Sequence, residues 1–161
     1  MATQDIFARL KQDHDRHRAL LARISDSADG GERVDLFEQF TIDIKSHASA
    51  EEQALYSTMM RKPPTTDETR HSVAEHHEIE VALNDLAATD ARSPEWLTKF
   101  GELKHDYLHH IDEEEEDHFP DFAQYLTAED ERYMAEVFDR RKEAEMADAA
   151  VTPEKKEDAK E

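Results

Sequence analysis

The sequence predicts an all-α protein, an up-down-up-down four-helix bundle with a short fifth C-terminal helix and a disordered acidic tail. Three observations support this. Only three Gly and five Pro occur in 161 residues, and long stretches are built from Ala, Leu, Glu, Lys, Arg and Asp, which favour helix. Apolar residues recur at steps of three and four in four separate stretches, the period of an amphipathic helix. Short segments with Gly or Pro separate those stretches, so consecutive helices are expected to pair antiparallel. The expected organisation is a bundle domain over 1–147 and a tail over 148–161.

The first helix is expected from about Thr3 to Ala28. Its stripe is Ile6, Leu10, His14, His17, Leu21 and Ile24, and Asp29-Gly30-Gly31 is expected to end it with a left-handed glycine cap. The second runs from about Arg33 to Arg61 with Phe37, Phe40, Ile44, His47, Glu51 and Leu55 in phase, and Pro63-Pro64 breaks it. The third covers about Asp67 to Ala88, striped by Val73, His76, Ile79 or Glu80, Leu83 and Leu86. Ser93-Pro94 is an N-cap followed by proline at the first helical position. The fourth helix continues to about Ala123, with Trp96, Phe100, Leu103 and Tyr107 leading directly into His110, Glu114 and His118. Thr127 to Asp130 resembles a capping box and opens the fifth helix, which carries Tyr133, Met134, Val137 and Phe138.

Acidic residues outnumber basic ones 40 to 20, a formal charge of −20. Such a surface repels nucleic acid and anionic membranes. There is no Cys, so disulfides and thiolate metal sites are excluded. No apolar run approaches the ~20 residues of a membrane span, and the opening Ala2-Thr3-Gln4-Asp5 is polar. A cytoplasmic location is expected.

The polar residues on the inward stripes carry the chemistry. They are His14 from the first helix, His47 and Glu51 from the second, His76 from the third, and His110 and Glu114 from the fourth. Antiparallel neighbours bring mid-helix positions to one level, so four imidazoles and two carboxylates are expected in one layer. An unpaired buried carboxylate is expensive, and a metal ion is the simplest partner. Two octahedral ions offer twelve positions. Two bridging carboxylates fill four and four imidazoles fill four. A bridging oxo or hydroxo group takes two more, which leaves one open position per ion. Imidazole and carboxylate suit iron or manganese, with zinc also possible. The alternative is a metal-free polar layer in which each His neutralises its Glu. His17 reads as a core residue. His71, His105 and His109 read as solvated. His77 competes with His76 but sits on a poorer stripe. Glu52, Glu113, Glu115 and Glu116 read as a solvated acidic face, and His118, on the stripe one turn beyond Glu114, as either a support behind the ligands or the mouth of the bundle.

Segments His47-Ala-Ser-Ala-Glu51 and His110-Ile-Asp-Glu-Glu114, with Asp13-His14 and Glu75-His76, resemble the His-x-x-x-Glu and single-His segments of hemerythrin-like domains, also called HHE cation-binding domains. The resemblance covers roughly residues 3 to 123. It implies two iron ions, oxo- or hydroxo-bridged, in a non-heme centre that takes O₂ or a related small ligand such as nitric oxide or peroxide. Binding, sensing or iron handling is then expected. A diiron enzyme that decomposes peroxide or oxidises nitric oxide is the first alternative, and a structural bundle with an incidental cation site the second. Oxygen carriers of that family have a His-x-x-x-His pair on the third helix and an Asp as the last carboxylate. Here Ser72 and Glu80 lie four residues either side of His76, so water, His17 or Glu80 is left to complete the site.

Overall fold

The computed structural model describes residues 4–149. Helix α1, Ile6–Asp26, starts where the Asp5 side chain accepts a hydrogen bond from the Ala8 amide. Helix α2, Gly30–Glu51, runs through a π-helical turn, Glu52–Tyr56, into α3, Ser57–Met59. A 3₁₀ turn at Pro63–Thr65 leads into α4, Thr66–Ala87. Helix α5, Pro94–Glu113, is capped by Ser93, passes through a second π-helical turn, Glu114–His118, and ends as α6, Phe119–Ala123. Helix α7 spans Ala128–Ala149. There is no strand among the described residues. Of the expected tail over 148–161, residues 148 and 149 belong instead to α7, and residues 150–161 lie outside the described residues.

Two expectations need correction. The first helix stops at Asp26 and no described residue has positive φ, so Gly30-Gly31 is not a left-handed cap. Asp29 instead accepts from the Gly31 amide at 3.1 Å and caps the following helix, whose first turn the glycines form. A Cβ at Gly30 would meet the exposed Arg92 side chain at 2.8 Å, so a larger residue there would displace that side chain. The fifth helix is also not short, at 22 residues. The expected capping box does open it: Thr127 Oγ1 accepts from the Asp130 amide and Asp130 accepts from the Thr127 amide, both at 3.0 Å. Its apolar stripe fades after Phe138, but its contact with the bundle does not. Lys142 continues the inward face and is buried against carboxylates of α1 and α2.

The four bundle helices enclose two apolar clusters. One gathers Leu20, Leu21 and Ile24 of α1 with Phe37, Phe40, Ile79, Leu83, Trp96 and Phe100. The other gathers Ile6, Phe7 and Leu10 with Leu55, Tyr56, Met59, Phe119, Phe122 and Phe138. On each of the four bundle helices the inward His and Glu fall between the two clusters, so the polar residues form a layer walled by hydrocarbon on both sides. Arg33 fastens the loop end of the bundle. It donates to the Ser27 and Ala91 carbonyls, each at 2.8 Å, and lies over Trp96.

Helix α7 is a fifth wall alongside α1 and α2, and Phe138 is its anchor. That ring is fully buried, 5.5 Å from the His47 ring and under the Arg9 guanidinium. Phe138→Ala is expected to cost about 3–5 kcal/mol, as truncation of a buried aromatic does. Denaturant unfolding measures this. A loss below about 1 kcal/mol would mean that α7 does not pack on the bundle as described.

Candidate metal centre

The structure brings the six sequence-predicted residues together as two triads. His14, His47 and Glu51 form one, and His76, His110 and Glu114 the other. All six side chains are buried, and within each triad the ligand-capable atoms lie within 4.8 Å of one another. The triads interlock: Glu51 Oε1 is 3.2 Å from His76 Nε2, and Glu114 Oε2 is 3.7 Å from His14 Nε2. Each carboxylate therefore faces imidazoles of both triads.

Each ring is held by its outer nitrogen. His14 Nδ1 donates to Glu115 at 2.7 Å, His47 Nδ1 to Asp13 at 2.9 Å, His76 Nδ1 to Glu52 at 3.1 Å and His110 Nδ1 to Glu75 at 3.0 Å. A proton fixed on Nδ1 leaves the Nε2 lone pair aimed inward, the arrangement that metal-ligating imidazoles use. The inward atoms are short of partners. His14 Nε2, His47 Nε2, both Glu51 oxygens and Glu114 Oε2 are buried without a hydrogen bond. Each such atom costs about 1–3 kcal/mol if left so. Imidazole nitrogens and carboxylate oxygens, with no thiolate, are donors for iron, manganese or zinc, so the residues present fit a pair of such ions.

The π-helical turns follow directly on the two His-x-x-x-Glu segments, after Glu51 and from Glu114. A π turn brings the fifth residue onward, rather than the fourth, onto the same face. Those residues are Tyr56 and Phe119. Tyr56 donates to Glu114 Oε1 at 3.0 Å and stacks on His76, and Phe119 stacks on His14. His118, which the uninterrupted stripe places in line with Glu114, is displaced toward α4, where its Nδ1 meets Ser72 Oγ.

His17 and Glu80 belong to neither triad. Both His17 nitrogens are committed: Nε2 donates to Asp43 and Nδ1 accepts from the Tyr107 hydroxyl, each at 2.7 Å. Glu80 is exposed, as are His71, His77, His105 and His109. The acidic face is not uniformly solvated. Glu52 and Glu115 hold ligand-candidate rings, Glu113 faces His71 and His118, and only Glu116 of the four is exposed as expected. Sequence reasoning missed the buried network behind His47. Asp13 accepts from His47, Arg9, Arg16 and Lys142, and Asp43 from His17, Arg16 and Lys142. Asp13 beside His14 was the available signal, because it falls on the apolar stripe.

Electrostatics separates this outer network from the inner layer. Burial raises the Asp13 and Asp43 carboxyls, but hydrogen bonds from His47 and Lys142 with the Lys142 charge at Asp13, and hydrogen bonds from His17 and Arg16 with the Lys142 charge at Asp43, outweigh it, and both stay ionised well below the usual range. Burial holds His47 down at about 3, so it stays neutral. In the inner layer burial, then the Glu114 charge, pushes Glu51 upward. Burial lowers His110, but the Glu114 and Glu75 carboxylates prevail and raise it to about 9; Glu114, Glu51 and Glu52 likewise raise His76. The metal-free layer therefore recruits protons to offset its carboxylates.

Fold and site together define a helical-bundle cation-binding protein. The chain matches the model of the hemerythrin HHE cation binding domain over residues 5–122 and belongs to that family. Among solved structures it is similar to a hemerythrin HHE cation binding domain-containing protein from Mycobacterium kansasii, with a TM-score of 0.80 over 90% of this chain and 89% of that one. At 23% identity that likeness is one of fold. Among curated proteins it is similar to a DNA nickase from Nostoc sp., 25% identical over 138 residues. The match takes in 86% of this chain but 38% of the length of that relative.

The proton uptake sets a pH signature. A His raised to about 9 contributes stability that is fully present below the unfolded value of ~6.5 and lost as pH rises through 9. The raised Glu51 acts in the same direction. The metal-free chain is therefore expected to lose stability between pH ~6.5 and ~9, whereas metal binding, which needs neutral imidazole, strengthens over that range. Thermal melts with and without metal at both ends of the window test this. A metal-free chain that gains stability toward pH ~9 would contradict it.

Proposed function

We propose that the chain holds two iron ions at His14, His47, Glu51, His76, His110 and Glu114, and that the centre binds O₂ or a related small ligand, nitric oxide or peroxide. The observation that carries this reading is the set of unpartnered buried atoms aimed at one another from both triads. Iron bound there supplies redox-active positions at which such ligands coordinate. Asp13, Glu52, Glu75 and Glu115 keep the Nδ1 protons outward, and Tyr56 donates to Glu114, so the donor set is oriented before any ion arrives. A cavity of about 430 Å³ reaches the imidazole edges of His47 and His76 past Ile44, Val73, Ile79 and Leu83. Lys45, Glu52, His77 and Glu80 share that lining with the aliphatic side chains, so the cavity admits small polar as well as apolar ligands.

One observation favours the enzymatic reading beside the binding one. Oxygen carriers of the family have a second His four residues from the third-helix His, whereas here those positions are Ser72 and the exposed Glu80, and His17 belongs to neither triad. A centre with fewer protein ligands has more room for exogenous ones, which suits turnover of peroxide or nitric oxide better than reversible storage. The match takes in 38% of the nickase's length, and a charge of −20 on this chain opposes phosphate-backbone binding.

Metal analysis and the visible spectrum of protein grown with iron test the proposal. Glu51→Ala or Glu114→Ala is expected to remove the visible absorption and iron, because each carboxylate faces imidazoles of both triads and its charge would offset that of cations held in a low-dielectric core. Glu115→Ala is expected to weaken iron binding ten- to a hundredfold, the usual effect of losing a carboxylate that orients a ligand His. Glu116→Ala should leave both readouts unchanged. Full iron and an unaltered spectrum in Glu114→Ala would defeat the assignment. Titration of the iron protein with O₂, nitric oxide and peroxide then separates binding from turnover.

A further inference from the structure

The π-helical turn that removes His118 from the Glu114 face delivers it to a second polar cluster between α4 and α5. Ser72 Oγ fixes its Nδ1 at 3.0 Å, and its Nε2 lies 3.1 Å from Glu113 Oε1. From α4, His71 Nε2 lies 3.3 Å from that same Glu113 oxygen and 3.3 Å from Glu75 Oε1. His109 holds the other Glu113 oxygen at 3.4 Å. The His71, Glu75 and Glu113 atoms fall within 4.8 Å of one another. Two imidazole Nε2 atoms thus converge on the same carboxylate oxygen, and one of the rings is locked from behind by a hydroxyl, as a ligating imidazole is.

We propose that His71, Glu75, Glu113 and His118 form a third, mononuclear cation site, distinct from the central six residues, that takes a borderline divalent ion such as Zn²⁺. Two imidazoles and two carboxylates are a donor set of the type zinc accepts at four-coordinate sites. With neutral imidazoles the cluster carries two carboxylate charges, which a divalent ion balances. Glu75 and Glu113 are 19% and 23% exposed and His71 52%, so the site opens to solvent while the central six residues are buried. An ion there exchanges directly with bulk. Glu75 Oε1 also accepts from His110 Nδ1, so the two sites meet at a single carboxylate. The proposal stands on this cluster alone and does not require that the central residues bind iron.

The test is zinc stoichiometry after equilibrium dialysis of the chelator-stripped full chain against Zn²⁺. It is run on the wild type, His71→Ala, Glu113→Gln and the Glu51→Ala/Glu114→Ala double variant, with circular dichroism to verify folding. The expected result is one equivalent fewer in His71→Ala and in Glu113→Gln than in the wild type, and an equivalent in the double variant that His71→Ala added to it abolishes. His71 is exposed, so its removal does not threaten the fold. If the double variant binds as much zinc as the wild type while His71→Ala still removes one equivalent, the central assignment fails and this one stands. Wild-type stoichiometry in both His71→Ala and Glu113→Gln would overturn it and leave the cluster an ordinary set of ion pairs.

Discussion

The structure depends on burying two carboxylates and four imidazoles at mid-height of a helical bundle. Apolar clusters lie on both sides of this layer, so water cannot solvate it cheaply, and every inward polar atom must find its partner within the protein or in a bound ion. The surrounding construction follows from that constraint. Five inward atoms lack partners while the outward nitrogens of all four rings have them. A bundle built only for stability would place Leu at these positions, because buried charged groups rarely outperform hydrocarbon.

The outer ring of carboxylates gives the acidic composition a structural meaning. Glu52, Glu75, Glu115 and Asp13 are not surplus surface charge; each sets the tautomer of one imidazole. Asp13 is in turn held by Lys142 and two arginines, which bring α7 into the support of His47. The fifth helix is therefore part of the site's scaffolding, although its own apolar stripe ends early.

The paired π-helical turns have the same logic. Each costs a regular hydrogen-bond ladder immediately after a His-x-x-x-Glu segment, and each returns an aromatic to the layer. Tyr56 and Phe119 close the site against the second apolar cluster, stacking on His76 and His14. Such wide turns are concentrated at functional positions, and here both adjoin the buried carboxylates, Glu51 and Glu114, that face both triads.

Local periodicity alone determined much of this protein. Helix order and the inward face of each helix follow from steps of three and four, because a helix face is set by spacing along one chain, and the short connections add the antiparallel pairing that brings the six inward residues to one level. The capping box at Thr127 was equally legible, since its partners are three residues apart. Periodicity could not reveal which atom holds which ring. His17 and His14 share a stripe, yet only the meeting with Tyr107 and Asp43 of other helices commits both His17 nitrogens. The displacement of His118, the length of α7 and the inward turn of Glu52 and Glu115 likewise arise from how helices rotate and wide turns shift phase against one another. Those contacts join residues tens of positions apart, and tertiary packing decided them.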